Sequence, residues 1–159
     1  MNKYILLIYL GSLFFTDVQA QTKKRALFLG NSYTASFNLP QLISFVANSM
    51  HDTLEYDMNV PGGYTLQGHS SNTLSINKIK AGNWDFVSLQ EQSQLPSFPL
   101  SEVQAFVFPY ARYLDSMINT YNPCAETVFF MTWGRRDGDA SNCSFMPEVC
   151  TYEGMDSLL

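Results

Sequence analysis

The 159-residue sequence predicts an α/β protein, a three-layer α/β/α sandwich in which helices cover both faces of a parallel sheet. Three observations carry that expectation. Segments of strand length alternate with segments of helical period, in the order strand, helix, strand, helix, strand, helix, strand. The strand cores are largely apolar, as strands buried on both faces are. Each strand runs into a glycine or polar loop, the place where open α/β sheets bind ligands.

Taken in order, Arg25–Leu29 is the first strand, and Lys23-Lys24-Arg25 is its solvated lead-in. Asn38 can cap a helix that begins near Pro40 and sets Leu39, Leu42, Ile43, Val46 and Met50 on one face. Leu54–Val60 is a weaker second strand, in which Glu55, Asp57 and Asn59 alternate with Leu54, Tyr56, Met58 and Val60; Pro61-Gly62-Gly63 ends it. Ser71–Ala81 reads as a short helix with Leu74, Ile76 and Ile79 inward. Phe86–Leu89 is a short buried strand behind Trp84-Asp85. A long helix starts at Ser101-Glu102 and keeps its period to Tyr121, with a kink expected at Pro109. Thr127–Thr132 is the fourth strand, expected to be buried. Gly134 to Cys150 has loop composition, and Tyr152–Leu159 opens another helix.

Residues 1–20 read as a signal peptide rather than as part of the domain at 21–159. Lys3 supplies the positive end, Tyr4 to Phe15 the apolar stretch, and Val18-Gln19-Ala20 a small-x-small cleavage site. The apolar stretch is short for a membrane span, so no stable span is expected after cleavage. Export to a periplasmic or extracellular location follows. The net charge of −5 and the lack of a basic cluster argue against nucleic acid as a partner. Export also favours disulfides among Cys124, Cys143 and Cys150. Three pairings are open, and Cys143–Cys150, stapling a short loop, is favoured. No CxxC or histidine partner supports a metal site, and no cofactor is expected.

Four loops could carry chemistry. Gly30-Asn31-Ser32 would let a tight turn present Ser32 at the sheet edge, with Asn31 bracing local backbone. Pro61-Gly62-Gly63-Tyr64-Thr65 could offer a backbone N–H to a ligand. Gln90-Glu91-Gln92-Ser93 places the Gln92 amide and the Glu91 carboxylate behind a buried strand. In Thr132-Trp133-Gly134-Arg135-Arg136-Asp137, Trp133 could wall a pocket and an arginine could meet Asp137 or an anion. Each loop alone is also ordinary turn vocabulary. Their shared position after parallel strands is what makes them a set.

The run Phe28-Leu29-Gly30-Asn31-Ser32-Tyr33-Thr34 resembles the nucleophile motif of the SGNH (GDSL-like) hydrolases, with Asn31 where many members have aspartate. Val87-Ser88-Leu89-Gln90-Glu91-Gln92-Ser93 and Thr132-Trp133-Gly134-Arg135 are similar to a little-studied secreted bacterial branch of that family. The resemblance implies a flavodoxin-like fold and a serine esterase acting on small-molecule or carbohydrate esters, acyl groups on carbohydrates among them. Ser32 would be the nucleophile; Gly63 and Gln92 would join the Ser32 N–H in the oxyanion hole, Gln92 standing where the family has asparagine. Asn31 and Trp133 would contact substrate.

The resemblance also implies a base from an Asp-x-x-His motif beyond the fourth strand, and the sequence has none; its histidines are His51 and His69. His51 is expected at the end of the first helix. His69 and Glu91 are weak stand-ins for the base. The reading is therefore of a domain incomplete at its C-terminus and inactive as given. The alternative is a non-catalytic secreted carbohydrate-binding module on the same fold, with Tyr33, Tyr64, Trp84 and Trp133 as its platform. A nucleotide-binding α/β protein is a weak third, because the first loop has one glycine rather than a Gly-rich cradle. Oligomeric state stays open.

Overall fold

The computed structural model describes residues 21–159, so the signal-peptide reading of residues 1–20 lies outside the described residues. Four strands, β1 (Lys23–Leu29), β2 (Thr53–Asn59), β3 (Phe86–Leu89) and β4 (Glu126–Phe129), form one sheet in the order β2-β1-β3-β4. All three pairings are parallel, with Leu29 opposite both Asn59 and Leu89, and Leu89 opposite Phe129. The predicted α/β class holds. The chain leaves β1 for β2 on one side and then crosses back to β3 on the other. The C-terminal ends of β1 and β3 therefore flank a topological switch point.

Side chains alternate across the sheet. Leu27, Leu29, Val87 and Leu89 face α3 (Leu66–Ser71), α4 (Thr73–Ala81) and α6 (Phe108–Tyr121), and with Leu66, Ile79, Leu114 and Ile118 they make the core. Ala26, Phe28, Phe86, Ser88 and Val128 line the other face beside α2 (Leu39–Ser49), across a cavity of about 580 Å³. The three layers are therefore packed unequally. On α2 the predicted apolar face is present, but Leu42, Val46 and Met50 are exposed, and only Leu39, Ile43 and Ala47 reach the cavity.

Several boundaries differ from the sequence reading. β1 begins at Lys23, because Lys23 and Lys24 pair in register with Thr53 and Leu54 of β2. β4 stops at Phe129 and lies at the sheet edge, with Val128 and Phe129 exposed, so the expectation of a buried fourth strand is not met. Asn38 precedes α2 in the left-handed region and makes no side-chain cap. The single helix expected over Ser71–Ala81 is two: Asn72 breaks the run with extended backbone and caps α4 by accepting from the Ser75 N–H. Leu74 is exposed rather than inward. The kink expected at Pro109 divides the helix at Val107, which stays right-handed and keeps its N–H on the Val103 carbonyl, so that α5 (Leu100–Phe106) passes into α6 with Pro109 in its first turn.

Beyond β4 the chain runs through turns to α7 (Tyr152–Asp156). The Cys143–Cys150 disulfide closes this segment as the sequence favoured, and Cys124 is unpaired and exposed. A Cβ at Gly154 or Gly138 would collide with the carbonyl group of Glu148 or Cys150, so only glycine allows this close approach.

Candidate functional site

The loops after β1, β2 and β3 meet at the C-terminal edge of the sheet, and Asn31 ties them together. It is 2% exposed and is the N-cap of α1 (Ser32–Ala35). Its Oδ1 accepts from the Tyr33 N–H at 3.1 Å. Its Nδ2 donates to the Tyr64 carbonyl at 2.8 Å and to the Glu91 carbonyl at 3.4 Å. Its backbone N–H donates to Gln90 Oε1 at 3.0 Å. Asn31 therefore spends both N–H groups of its amide on backbone carbonyls and is buried, which leaves it a bracing role in this structure. Gly30 is needed beneath it: a Cβ there would lie 2.6 Å from Thr34 Oγ1 and 2.7 Å from Gln90 Oε1.

Ser32 is the first residue of α1 and is exposed. Among the described residues its hydroxyl and its N–H have no hydrogen-bond partner. Gly63 is exposed at φ +68° in a turn closed by the Tyr64 N–H on the Pro61 carbonyl at 3.3 Å, and its N–H is likewise free among the described residues. Each expected oxyanion donor thus neighbours a point of the Asn31 knot: Ser32 follows Asn31, Gly63 precedes Tyr64, and Gln92 follows Glu91. Gln92 is the least available. Its Oε1 accepts from the Gln94 and Leu95 N–H groups at 2.7 and 3.3 Å, and its Nε2 donates to Gln94 Oε1 at 2.7 Å. One N–H of that amide is left for a ligand.

Trp133 comes to the same place from the loop after β4. Its ring lies 4.9 Å from that of Tyr33, centroid to centroid, and 6.4 Å from Phe130. Half of Trp133 is exposed, so the pair makes an aromatic wall where the loops after β1 and β4 meet. Trp84 does not join it. It precedes β3 at the opposite end of the sheet and is buried, with its Nε1 donating to the Lys78 carbonyl and the Arg25 guanidinium over its ring. Arg136 pairs with Asp137 in solvent, and Arg135 lies 3.6 Å from the buried Asp139. Asp139 also accepts from Gln94 Nε2 at 2.6 Å, which joins the loops after β3 and β4. Burial pushes its carboxyl up, but bonds from Asn142 and Gln94 and the Arg135 charge outweigh that and hold it below its ordinary value.

His69 is not placed to act on Ser32. It is fully buried, with Nε2 on the Gly30 carbonyl at 2.9 Å and Nδ1 on Ser75 Oγ at 2.7 Å. A carbonyl can only accept, so Nε2 carries the proton and Nδ1 accepts from Ser75. Ser75 Oγ in turn accepts from Asn59 Nδ2 at 2.8 Å. Desolvation pulls the His69 pKa down, and the bond to Gly30 opposes it only in part. The neutral ring props the loop after β1 at the Gly30 carbonyl. His51 is exposed beyond α2 at φ +66°.

Sequence reasoning missed Gln90. It is fully buried, takes the Asn31 N–H and the Thr34 hydroxyl on Oε1, and donates from Nε2 to the Glu91 carbonyl. A glutamine directly behind a buried strand was the available signal. Among the described residues, no cluster of His, Cys, Asp and Glu could hold a metal ion, and no helix is long and apolar enough to cross a membrane.

Fold and loops together define a parallel α/β protein with a solvent-facing serine at its switch point. No family model matches the chain, and no curated protein matches it. Among solved structures it is similar to the crystal structure of a DUF4886 family protein from Bacteroides uniformis, with a TM-score of 0.64 at 14% identity. The match covers 84% of this chain and 58% of that one, and at this identity it is a likeness of fold.

Proposed function

We propose that the chain carries the nucleophile side of an SGNH-type serine hydrolase acting on esters. The observation that carries this reading is the pairing of Ser32 with Asn31. Among the described residues Ser32 has a free hydroxyl and a free N–H at the switch point, and a buried, hydrogen-bonded asparagine holds the loop that presents it. In the reaction Ser32 Oγ attacks the ester carbonyl carbon, the alcohol leaves with a proton, and water then releases the acid from the acyl-enzyme. The N–H groups of Ser32 and Gly63 and the open N–H of Gln92 receive the oxyanion. Losing one such donor costs roughly 2.7–4 kcal/mol of barrier. The resemblance implies a histidine base, and neither histidine of this sequence bonds Ser32. Turnover by this chain alone is therefore expected to be slow. The site is exported under this reading, and acyl esters of carbohydrates are its substrate class.

A serine-reactive phosphonate tests the assignment. The adduct forms on Ser32, forms faster as the pH rises or imidazole is added, and is lost in Ser32→Ala. Equal labelling of Ser32→Ala refutes it.

The Tyr33–Trp133 wall favours a second reading, a secreted carbohydrate-binding module without catalysis. Oligosaccharide binding that quenches Trp133 emission, with no phosphonate adduct on Ser32, would select it.

A further inference from the structure

Glu91 is a buried carboxyl that the proposed reaction does not use. It is 7% exposed and lines a cavity of about 750 Å³ beside α6. Its Oε1 accepts from the Gln92 N–H at 2.6 Å and from the Leu66 N–H at 3.2 Å, and Oε2 takes the same Leu66 N–H at 3.3 Å. Leu66 opens α3, directly behind the turn that carries Gly63. The Glu91 backbone carbonyl accepts from Asn31 and Gln90. One residue thus touches the loops after β1, β2 and β3.

The groups around it do not neutralise a charge. On α3, His69 is occupied by Gly30 and Ser75. On α6, Arg112 and Asp115 line the same cavity, and the Arg112 guanidinium lies over the Phe108 ring at 5.9 Å. Arg135 and Asp139 pair with each other and reach this loop only through Gln94. Among the described residues no cation lies within ion-pair distance of Glu91.

We propose that Glu91 is a positioning residue whose proton sets how tightly the loops after β2 and β3 close on each other. Neutral Glu91 holds the start of α3, behind the Gly63 turn, against the Gln92 loop, and ionised Glu91 draws in water and loosens that contact; the link to the Ser32 loop runs through the Glu91 backbone carbonyl and Asn31. The clamp stands on its hydrogen bonds, and its bearing on catalysis rests on the Ser32 reading.

Burial penalises the charged form. It pushes the Glu91 carboxyl up to about 7, against the Gln92 and Leu66 N–H bonds that pull it down. Opening rehydrates the group and returns it toward its ordinary value. A raised value in the closed state stabilises closure fully below the ordinary carboxylate pKa. That contribution is lost as pH rises through about 7. Each unit is worth about tenfold in the opening equilibrium.

Amide hydrogen exchange of the whole chain, wild type against Glu91→Gln, tests this between about pH 5 and 8.5. Glutamine keeps the Oε1 acceptor that both amides share and cannot ionise. The ratio of variant to wild-type protection at Leu66 and Gln92 cancels intrinsic exchange and the titration of His69. It is expected to rise by about 100-fold from the acid to the alkaline end if opening frees most of the shift. A ratio that stays flat overturns the proposal. If Glu91→Gln does not fold, the wild type decides: a midpoint of the Glu91 carboxyl carbon resonance near neutrality, with protection at Leu66 and Gln92 falling through the same midpoint, supports the clamp, and a midpoint in the ordinary carboxylate range or protection that does not follow it overturns it. A flat ratio with Ser32 labelled by the phosphonate removes the clamp and leaves the hydrolase reading. A rising ratio without a Ser32 adduct removes the hydrolase reading and leaves the clamp.

Discussion

Replacing Asn31 by aspartate is expected to destabilise this protein in a pH-dependent way. The orientation of the Asn31 amide is fixed by its partners. A backbone N–H donates to Oδ1, and two carbonyl oxygens accept from Nδ2. Aspartate keeps the first contact and turns the other two into oxygen facing oxygen. The Glu91 carbonyl still has the Gln90 amide, whereas the Tyr64 carbonyl loses its side-chain donor. Leaving such a group unsatisfied costs roughly 1–3 kcal/mol. Asn31→Ala adds the loss of the α1 cap, typically about 1 kcal/mol, for a total of about 2–4 kcal/mol. Asn31→Asp at about pH 8 should cost at least as much, since it also buries a charge at a 2% exposed position.

Protonation reverses part of that cost, because a neutral carboxyl can donate to the Tyr64 carbonyl. The carboxyl introduced by Asn31→Asp would then have a folded pKa above the unfolded aspartate value of about 3.9. Its stabilising contribution is complete below that value and is lost as the pH rises through the folded one. Urea melts of wild type, Asn31→Ala and Asn31→Asp across this range measure the effect. The gap between wild type and Asn31→Asp should widen toward alkaline pH, and the gap to Asn31→Ala should not. An Asn31→Asp protein as stable as wild type at about pH 8, or a gap that does not move, would refute the reasoning.

His69 should titrate below an ordinary histidine by NMR, with its proton on Nε2 at neutral pH. Because its folded pKa is depressed, its contribution to stability is complete above about 6.5 and is lost as the pH falls below that. A midpoint at the ordinary value would show that the ring is not the buried prop described. Opening the Cys143–Cys150 loop by Cys143→Ser should cost about 2–3 kcal/mol on the chain-entropy account, read as a lower melting temperature and faster proteolysis between Gly134 and Cys150. Alkylation of the unreduced protein should modify Cys124 alone among the cysteines.

The sheet was legible in the sequence because its signals are local. Leu27, Leu29, Val87 and Leu89 recur at strand spacing, and their loops begin with glycine or polar residues. The position of Ser32 followed from the same pattern. The bracing by Asn31 and Glu91 was not legible, since the Asn31 partners lie 33 and 60 residues along the chain. The binding-module alternative grouped Trp84 with Tyr33, Tyr64 and Trp133, but only topology shows that a residue before a parallel strand sits at the wrong end of the sheet. The apolar strand β4 read as buried because both of its faces carry apolar residues; its position at the sheet edge is a matter of strand order.

The free hydroxyl of Ser32 has a consequence for how such a scaffold can change over time. No folding interaction among the described residues depends on that oxygen, while Asn31, Gln90 and His69 hold the loop around it. Chemistry and architecture are thus separable at adjacent positions. On the hydrolase reading, exchanging Ser32 would remove the nucleophile and leave the loop's hydrogen bonds among the described residues in place. The neighbouring asparagine has no such freedom.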